Sequence, residues 1–157
     1  MTGTIPTQLG ELTQVQYLLM DHNQYNSPIP SQLGQLHHLV WIYLDYSQVT
    51  GTIPTQFGEL TKLESLSIHN NRMTGIIPSE LAQVTTLKQV SFAENQFTGT
   101  LPEGLEDAWV HLEGVAFSGN ELSGSVPFSF CNLSHPWVPG SVLNCSTNKL
   151  CGCDCAC

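Results

Sequence analysis

Apolar residues recur in one phrase along the chain. Leu12, Val15, Leu18 and Met20 are followed by Asn23 and Tyr25; 48 residues later stand Leu60, Leu63, Leu66, Ile68, Asn71 and Met73. The intervening and later units keep the spacing, as Leu36, Leu39, Ile42 and Leu44, then Val84, Leu87, Val90 and Phe92, then Trp109, Leu112, Val115 and Phe117. Inside each unit a step of two, such as Leu18 to Met20 or Leu66 to Ile68, predicts a short strand with alternate side chains inward. Leu19, Tyr43, Ser67, Ser91 and Ala116 then point outward. No unit can bury its apolar row alone, so the units must stack.

Each unit closes on a proline. Pro6, Pro30, Pro54, Pro78, Pro102 and Pro127 are separated by four intervals of 24 residues and a last one of 25. A fixed period of this length predicts a solenoid. The proline ends a second extended segment because it lacks an amide donor. The short stretch after it, such as Thr55 to Leu60, has room for a turn or two of helix on the outer side. The extra residue of the last interval is expected between Glu103 and Ala108, in a bulged outer loop.

Between strand and proline run two further columns. Asn23, Asn71, Asn95 and Asn120 stand where the chain leaves the sheet, and an amide there can both donate to and accept from backbone groups of adjacent turns. Ser47 interrupts this column. The glycine before the apolar-proline pair, as in Gly51-Thr52-Ile53-Pro54, relieves crowding or supplies a positive φ; Ser27-Pro28 departs from the pattern.

The unit L-x-x-L-x-x-L-x-L-x-x-N-x-L-x-G-x-I-P resembles the plant-type leucine-rich repeat, as found in extracellular receptor kinases, receptor-like proteins and polygalacturonase-inhibiting proteins. The resemblance covers residues 1–128, a partial first unit and five full ones, and residues 129–157 read as a cysteine-rich cap and tail. It implies an α/β solenoid with a parallel sheet on the concave side and short helical or 3-10 turns on the convex side. It also implies binding of proteins, peptides or glycans, with no catalysis by the repeats. The tail looks like that of leucine-rich-repeat proteins in diatoms and related algae.

Composition narrows the partners. Four Lys and Arg against 13 acids leave a formal net charge of -9, with too little positive charge to neutralise phosphates, so nucleic acid is not expected. No apolar run is long enough to cross a membrane. No secretory leader opens the sequence, and Met1 falls mid-repeat, in the column of Tyr25, Val49 and Met73, so a longer array is expected. An uncapped first unit would leave Ile5 and Leu9 open to solvent and invite end-to-end association.

The outward strand positions are the candidate binding face. Their chemistry is uneven. Tyr17, Leu19, Asp21 and His22 come from the first unit, Trp41, Tyr43, Asp45 and Tyr46 from the second, and Ser67 and His69 from the third. Later units offer smaller and more polar residues. Tyr and Trp give large contact area at low entropy cost, and aromatic rings flanked by carboxylates suit sugars. His22 and His69 lie near acids but read as solvated surface histidines, and His37 and His38 as plain surface. Asp21 and Asp45 share a column, yet the sequence shows no enclosing pocket of the kind that acid catalysis needs. No enzyme, cofactor or metal site is expected from the repeats.

Two features remain. Thr2-Gly3-Thr4, Thr50-Gly51-Thr52 and Thr98-Gly99-Thr100 form a broken array of the kind several ice-binding proteins present. Six cysteines, Cys131, Cys145, Cys151, Cys153, Cys155 and Cys157, all follow the repeats. They are read as disulfides, with 15 possible connectivities, against a soft-metal thiolate cluster as the other reading. Asn132 and Asn144 open glycosylation sequons. The chain is thus expected to be an extracellular or cell-surface recognition module, with an inhibitor of a secreted carbohydrate-degrading enzyme as the alternative and ice binding as a third.

Overall fold

The computed structural model describes residues 2–127, 129–130 and 149–151. The expected glycosylation sites, and the cysteines other than the backbone of Cys151, lie outside these residues. Short strands alternate between two parallel sheets: β1 (Thr2–Gly3), β2 (Tyr17–Leu19), β3 (Gln24–Tyr25), β4 (Trp41–Tyr43), β5 (Thr50–Gly51), β6 (Ser65–Ser67), β7 (Arg72–Gly75), β8 (Gln89–Ser91), β9 (Gln96–Thr100), β10 (Gly114–Ala116), β11 (Glu121–Ser125) and β12 (Lys149–Cys151).

The main sheet runs β2-β4-β6-β8-β10. It pairs Leu18 with Ile42, Ile42 with Leu66, Leu66 with Val90 and Val90 with Val115. Each of these residues is buried and belongs to one continuous core that also takes in the proline-side residues Ile29, Ile53, Ile77 and Leu101. Burying one such side chain contributes roughly 1.5–3 kcal/mol, and the row is shared by every unit.

The second extended segment forms a sheet of its own, which pattern alone did not reveal. β5, β7, β9, β11 and β12 pair in parallel, while β1 and β3 form a separate ribbon. The break falls at Pro28, which makes only an isolated bridge to Thr50. Proline has no amide to offer a ladder. Ser27, buried in the glycine column, adapts by accepting the Ile5 amide on its hydroxyl at 3.0 Å. Gly75, by contrast, has φ +82°, and a Cβ there would meet Thr52 Cγ2 at 2.8 Å, so this position needs glycine on both counts.

The convex side carries 3-10 turns at Thr7–Glu11, Ser31–Gln35, Thr55–Glu59 and Ser79–Gln83, each entered from an extended proline. Consecutive turns approach closely: a Cβ on Gly58 would lie 2.6 Å from the carbonyl oxygen of Glu80. Ala82 stands where the earlier turns have glycine, and the turn facing it is wider. There Gly104, at φ +80°, leads into a single α-helical turn, α1 (Leu105–Ala108). Its amides bond four residues back, Ala108 to Gly104 and Trp109 to Leu105. The additional residue of this unit is therefore absorbed by a change from 3-10 to α-helical bonding, and the expected bulged loop is instead helix.

The asparagine column bonds across units. Asn71 Nδ2 donates to Leu44 O at 2.9 Å, Ile68 O at 3.0 Å and His69 O at 3.2 Å, while its Oδ1 accepts the Val49 amide at 3.0 Å. Asn95 does the same with Ile68, Phe92, Ala93 and Met73, and Asn120 with Phe92, Phe117, Ser118 and Phe97. Ser47 accepts the Asn23 amide at 3.2 Å and donates to Asp45 O at 3.3 Å. Just before each amide the backbone turns left-handed, at His22, Tyr46, Asn70 and Glu94 with φ between 48° and 54°, and at Gly119. Non-glycine residues seldom adopt this conformation; here it is followed each time by the hydrogen-bonded side chain of the column, an asparagine or, after Tyr46, Ser47.

At the first unit the expectation is corrected. Ile5 is buried at 3% exposure because it joins the shared core, and Leu9 is half-buried against it. The open apolar edge is formed instead by Leu12 and Leu19, more than half exposed.

Replacing Asn95 with Ala leaves the Met73 amide without its acceptor and takes one of two donors from each of Ile68 O, Phe92 O and Ala93 O; we expect a loss of about 2 kcal/mol, seen as a lower urea midpoint. Ser47→Asn should gain about 1 kcal/mol by completing the column, read in the same titration.

Candidate functional site

The concave sheet is not uniform from end to end. On β2 and β4 the outward side chains are large, and Tyr17, Leu19 and Trp41 are exposed. On β6 and β10 they are small, and on β8 the small Ser91 follows the longer Gln89. Ser65, Ser91, Ala93 and Ala116 point away from the core yet are buried. Outward orientation therefore does not make them accessible: their side chains are too short to rise above longer neighbours. Tyr43 lies over Ser65, whose Oγ donates to the tyrosine hydroxyl at 3.2 Å. This drop in side-chain height leaves an open cavity of about 500 Å³ in the trough, bounded by Trp41, Tyr43 and Tyr46 on one side and by Lys88, Gln89 and Glu113 on the other. No pocket is legible in the sequence, because side-chain height is a property of three neighbouring units together.

The aromatic residues form two linked groups. Trp41 stacks with Tyr43 at 6.0 Å between ring centroids and 6° between planes, and meets Tyr17 at 4.9 Å with a 58° tilt. Tyr46 stacks on His22 at 4.8 Å and 6°, and meets His69 edge-on at 4.8 Å and 81°. His22 and Tyr46 are both left-handed backbone positions, in the turns that lead to Asn23 and Ser47, and these turns set the rings side by side.

Asp45, Ser67 and His69 are held by one another. Asp45 Oδ1 accepts from Ser67 Oγ at 2.7 Å and from the His69 amide at 2.9 Å, and His69 Nδ1 lies 2.9 Å from the same oxygen. Ser67 Oγ also lies 3.1 Å from His69 Nδ1, which closes the group. Both side chains of the Asp45–His69 pair are nearly buried, at 12% and 13% exposure. His69 is therefore not the solvated histidine its sequence context suggests; it braces the edge of Tyr46 from below. His22 does fit that description, at 70% side-chain exposure and 4.0 Å from Asp21. His37 and His38 lie outside the cavity and approach the carbonyls of Glu59 and Thr13 in neighbouring units. Asp21 is half-exposed and Asp45 is committed to hydrogen bonds, so the two carboxylates of the column sit in unlike surroundings.

The threonine columns lie on the second sheet, away from this cavity. Their regularity is broken by Pro28 and by Ile76, whose side chain is 62% exposed. Thr74 and Thr98 turn their hydroxyls back towards the carbonyls of Gly51 and Gly75 at 3.5 Å.

The repeats match known proteins. The Leucine Rich Repeat family model matches at residues 62–84 and 111–133. A chain of the BIR3–SERK2 complex from Arabidopsis thaliana is 32% identical, with a TM-score of 0.70, over 87% of this chain and 69% of that one. This chain is a leucine-rich-repeat protein. Pollen Receptor Kinase 3 is similar over all of this chain and 74% of its own, at 27% identity and a TM-score of 0.81. The plant peptide hormone receptor RGFR1, solved in complex with RGF2, is 34% identical with a TM-score of 0.80; the match covers 85% of this chain and only 22% of the receptor. No curated protein sequence matches at a significant level. The architecture is that of a plant receptor ectodomain, a fold that typically serves as a binding module, and among the described residues no helix is long and apolar enough to cross a membrane.

Asp45→Ala should cost about 1–3 kcal/mol, because Ser67 Oγ and the His69 amide lose their acceptor in a nearly buried place. Asp21→Ala should change stability by less than about 0.5 kcal/mol. Paired urea titrations check the contrast.

Proposed function

We propose that the chain is an extracellular recognition module that binds a protein, peptide or glycan through its concave sheet. The observation that carries this reading is the aromatic group on β2 and β4, set beside a trough that the small residues of β6 and β8 leave open. Exposed aromatics in contact with one another offer a large, rigid surface whose ordering cost is low. A cavity next to them gives a partner side chain somewhere to bury itself. Tyr17, Trp41, Tyr43 and Tyr46 are the contact residues in this reading. Asp45, Ser67 and His69 hold the rings in place, and Asp21, Leu19 and His22 form the rim.

The resemblance to receptor ectodomains supports the reading, since RGFR1 is solved with a peptide bound. It also supports an extracellular setting, in which the cysteines would form disulfides and Asn132 and Asn144 would carry glycans. Residues 1–128 act as the repeat array in this scheme and residues 129–157 as its cap.

The test uses a ligand selected from secreted peptides and a glycan array. The double variant Trp41→Ala/Tyr43→Ala should bind that ligand at least about tenfold more weakly, since central aromatic anchors are worth around 2 kcal/mol or more. A far-ultraviolet spectrum unchanged from the parent shows that the fold survives. Equal affinity of the variant and the parent would remove this face from the account.

A further inference from the structure

The trough holds an imbalance that its own residues do not resolve. Gln89 donates from Nε2 to Glu113 Oε2 at 3.3 Å. A carboxylate can only accept, so this bond fixes the orientation of the amide and turns Oε1 away from Glu113. That oxygen is buried and has no partner. Ser91, 1% exposed, also has an unpartnered Oγ. Both residues line the cavity. Buried polar atoms without partners are uncommon in folded proteins, and each one is costly.

The charge around them is mainly negative. Of the carboxylates lining the cavity, Asp45 is used by Ser67 and His69, which leaves Asp21, Glu64 and Glu113. Against these stands Lys88, whose Nζ reaches Glu64 Oε2 at 2.9 Å. Its position shows that a cation is accommodated between these strands. The pair is open to water, with side chains 44% and 40% exposed, and a pair of that kind adds little and exchanges readily. Opposite lie the parallel rings of Trp41 and Tyr43.

We propose that this trough takes the guanidinium of an arginine side chain from a protein or peptide partner. The proposal rests on the concave-face reading above and gives the ligand a chemistry. A guanidinium is planar, so it stacks on an aromatic wall; it is always charged, so it answers the carboxylates; and it has only donors, five of them, so it can bond more than one carboxylate at once. A lysine ammonium would match the charge but not the stacking. A neutral sugar would match the rings and could donate hydroxyls to the carboxylates, but would leave their charge unbalanced.

The experiment follows the Trp41 indole and Gln89 side-chain amide resonances of the ¹⁵N-labelled chain. The probes are three blocked tripeptides, Gly-Arg-Gly, Gly-Lys-Gly and Gly-citrulline-Gly. The arginine peptide should shift both resonances with a dissociation constant on the order of 1 mM, as expected for so small a ligand. The lysine peptide should bind at least about threefold more weakly, and the citrulline peptide, equal in shape but uncharged, about tenfold more weakly. Glu113→Gln and Glu64→Gln, both at accessible positions, should each weaken arginine binding by about fivefold. Citrulline binding as tightly as arginine, or arginine leaving both resonances unmoved, would overturn the assignment. A neutral oligosaccharide that moves Trp41 when arginine does not would overturn the guanidinium while leaving concave-face recognition standing. Ligand binding that survives loss of Trp41 and Tyr43 would count against both.

Discussion

A three-residue strand cannot hold a chain in place for long, and each unit here must leave its strand, turn and start back within a few residues. The carbonyls at that departure are buried, and backbone pairing meets only some of them: Ala93 O takes the Asn70 amide of the unit before, while Ile68 O and Phe92 O are each met by two asparagines of the column. A side-chain amide, set after a left-handed residue, supplies the donors to three of them and takes one amide from the unit before. Because one side chain joins two units, the stack is bound by the same groups that make the turn. An unmet buried carbonyl would cost a free energy comparable to that of a hydrogen bond, and the array repeats the arrangement at Asn71, Asn95 and Asn120.

Function follows from what that turn sets in position. The left-handed residues His22 and Tyr46 place their rings in a stack, and the short β4 carries Trp41 and Tyr43 in parallel planes. The next units differ only in side-chain size, yet that difference opens the trough. Serines and alanines on β6, β8 and β10 keep the backbone geometry of the sheet while lowering its surface. An aromatic shoulder beside a lowered floor is therefore the product of one repeating backbone and a gradient of side chains.

The columns were legible in the sequence because repetition makes them so: a residue that returns every 24 positions in Leu, Asn, Gly or Pro states its role many times. Other features lacked that redundancy. His22, Tyr46, Asn70 and Glu94 share a conformation but no chemistry, and only Gly119 hints at it. The second sheet has strands as short as two residues, with no apolar alternation to mark them. The Asp45–Ser67–His69 group joins residues 22 and 24 apart, so it runs across columns that a unit-by-unit reading keeps separate. The helical turn at Leu105–Ala108 was visible as an extra residue but not as a change of bonding, since one added residue fits a loop as well as a helical turn.

The central claim is that the amide column holds together the sheet on which the site is built. Hydrogen exchange at the backbone amides of Val49, Met73 and Phe97, the groups accepted by Asn71, Asn95 and Asn120, tests it most directly. The account predicts that these three exchange only with unfolding of the array, and that Asn95→Ala speeds exchange at Met73 far more than a global loss of stability does at Val49. Exchange at all three as fast as in the exposed turns would contradict it.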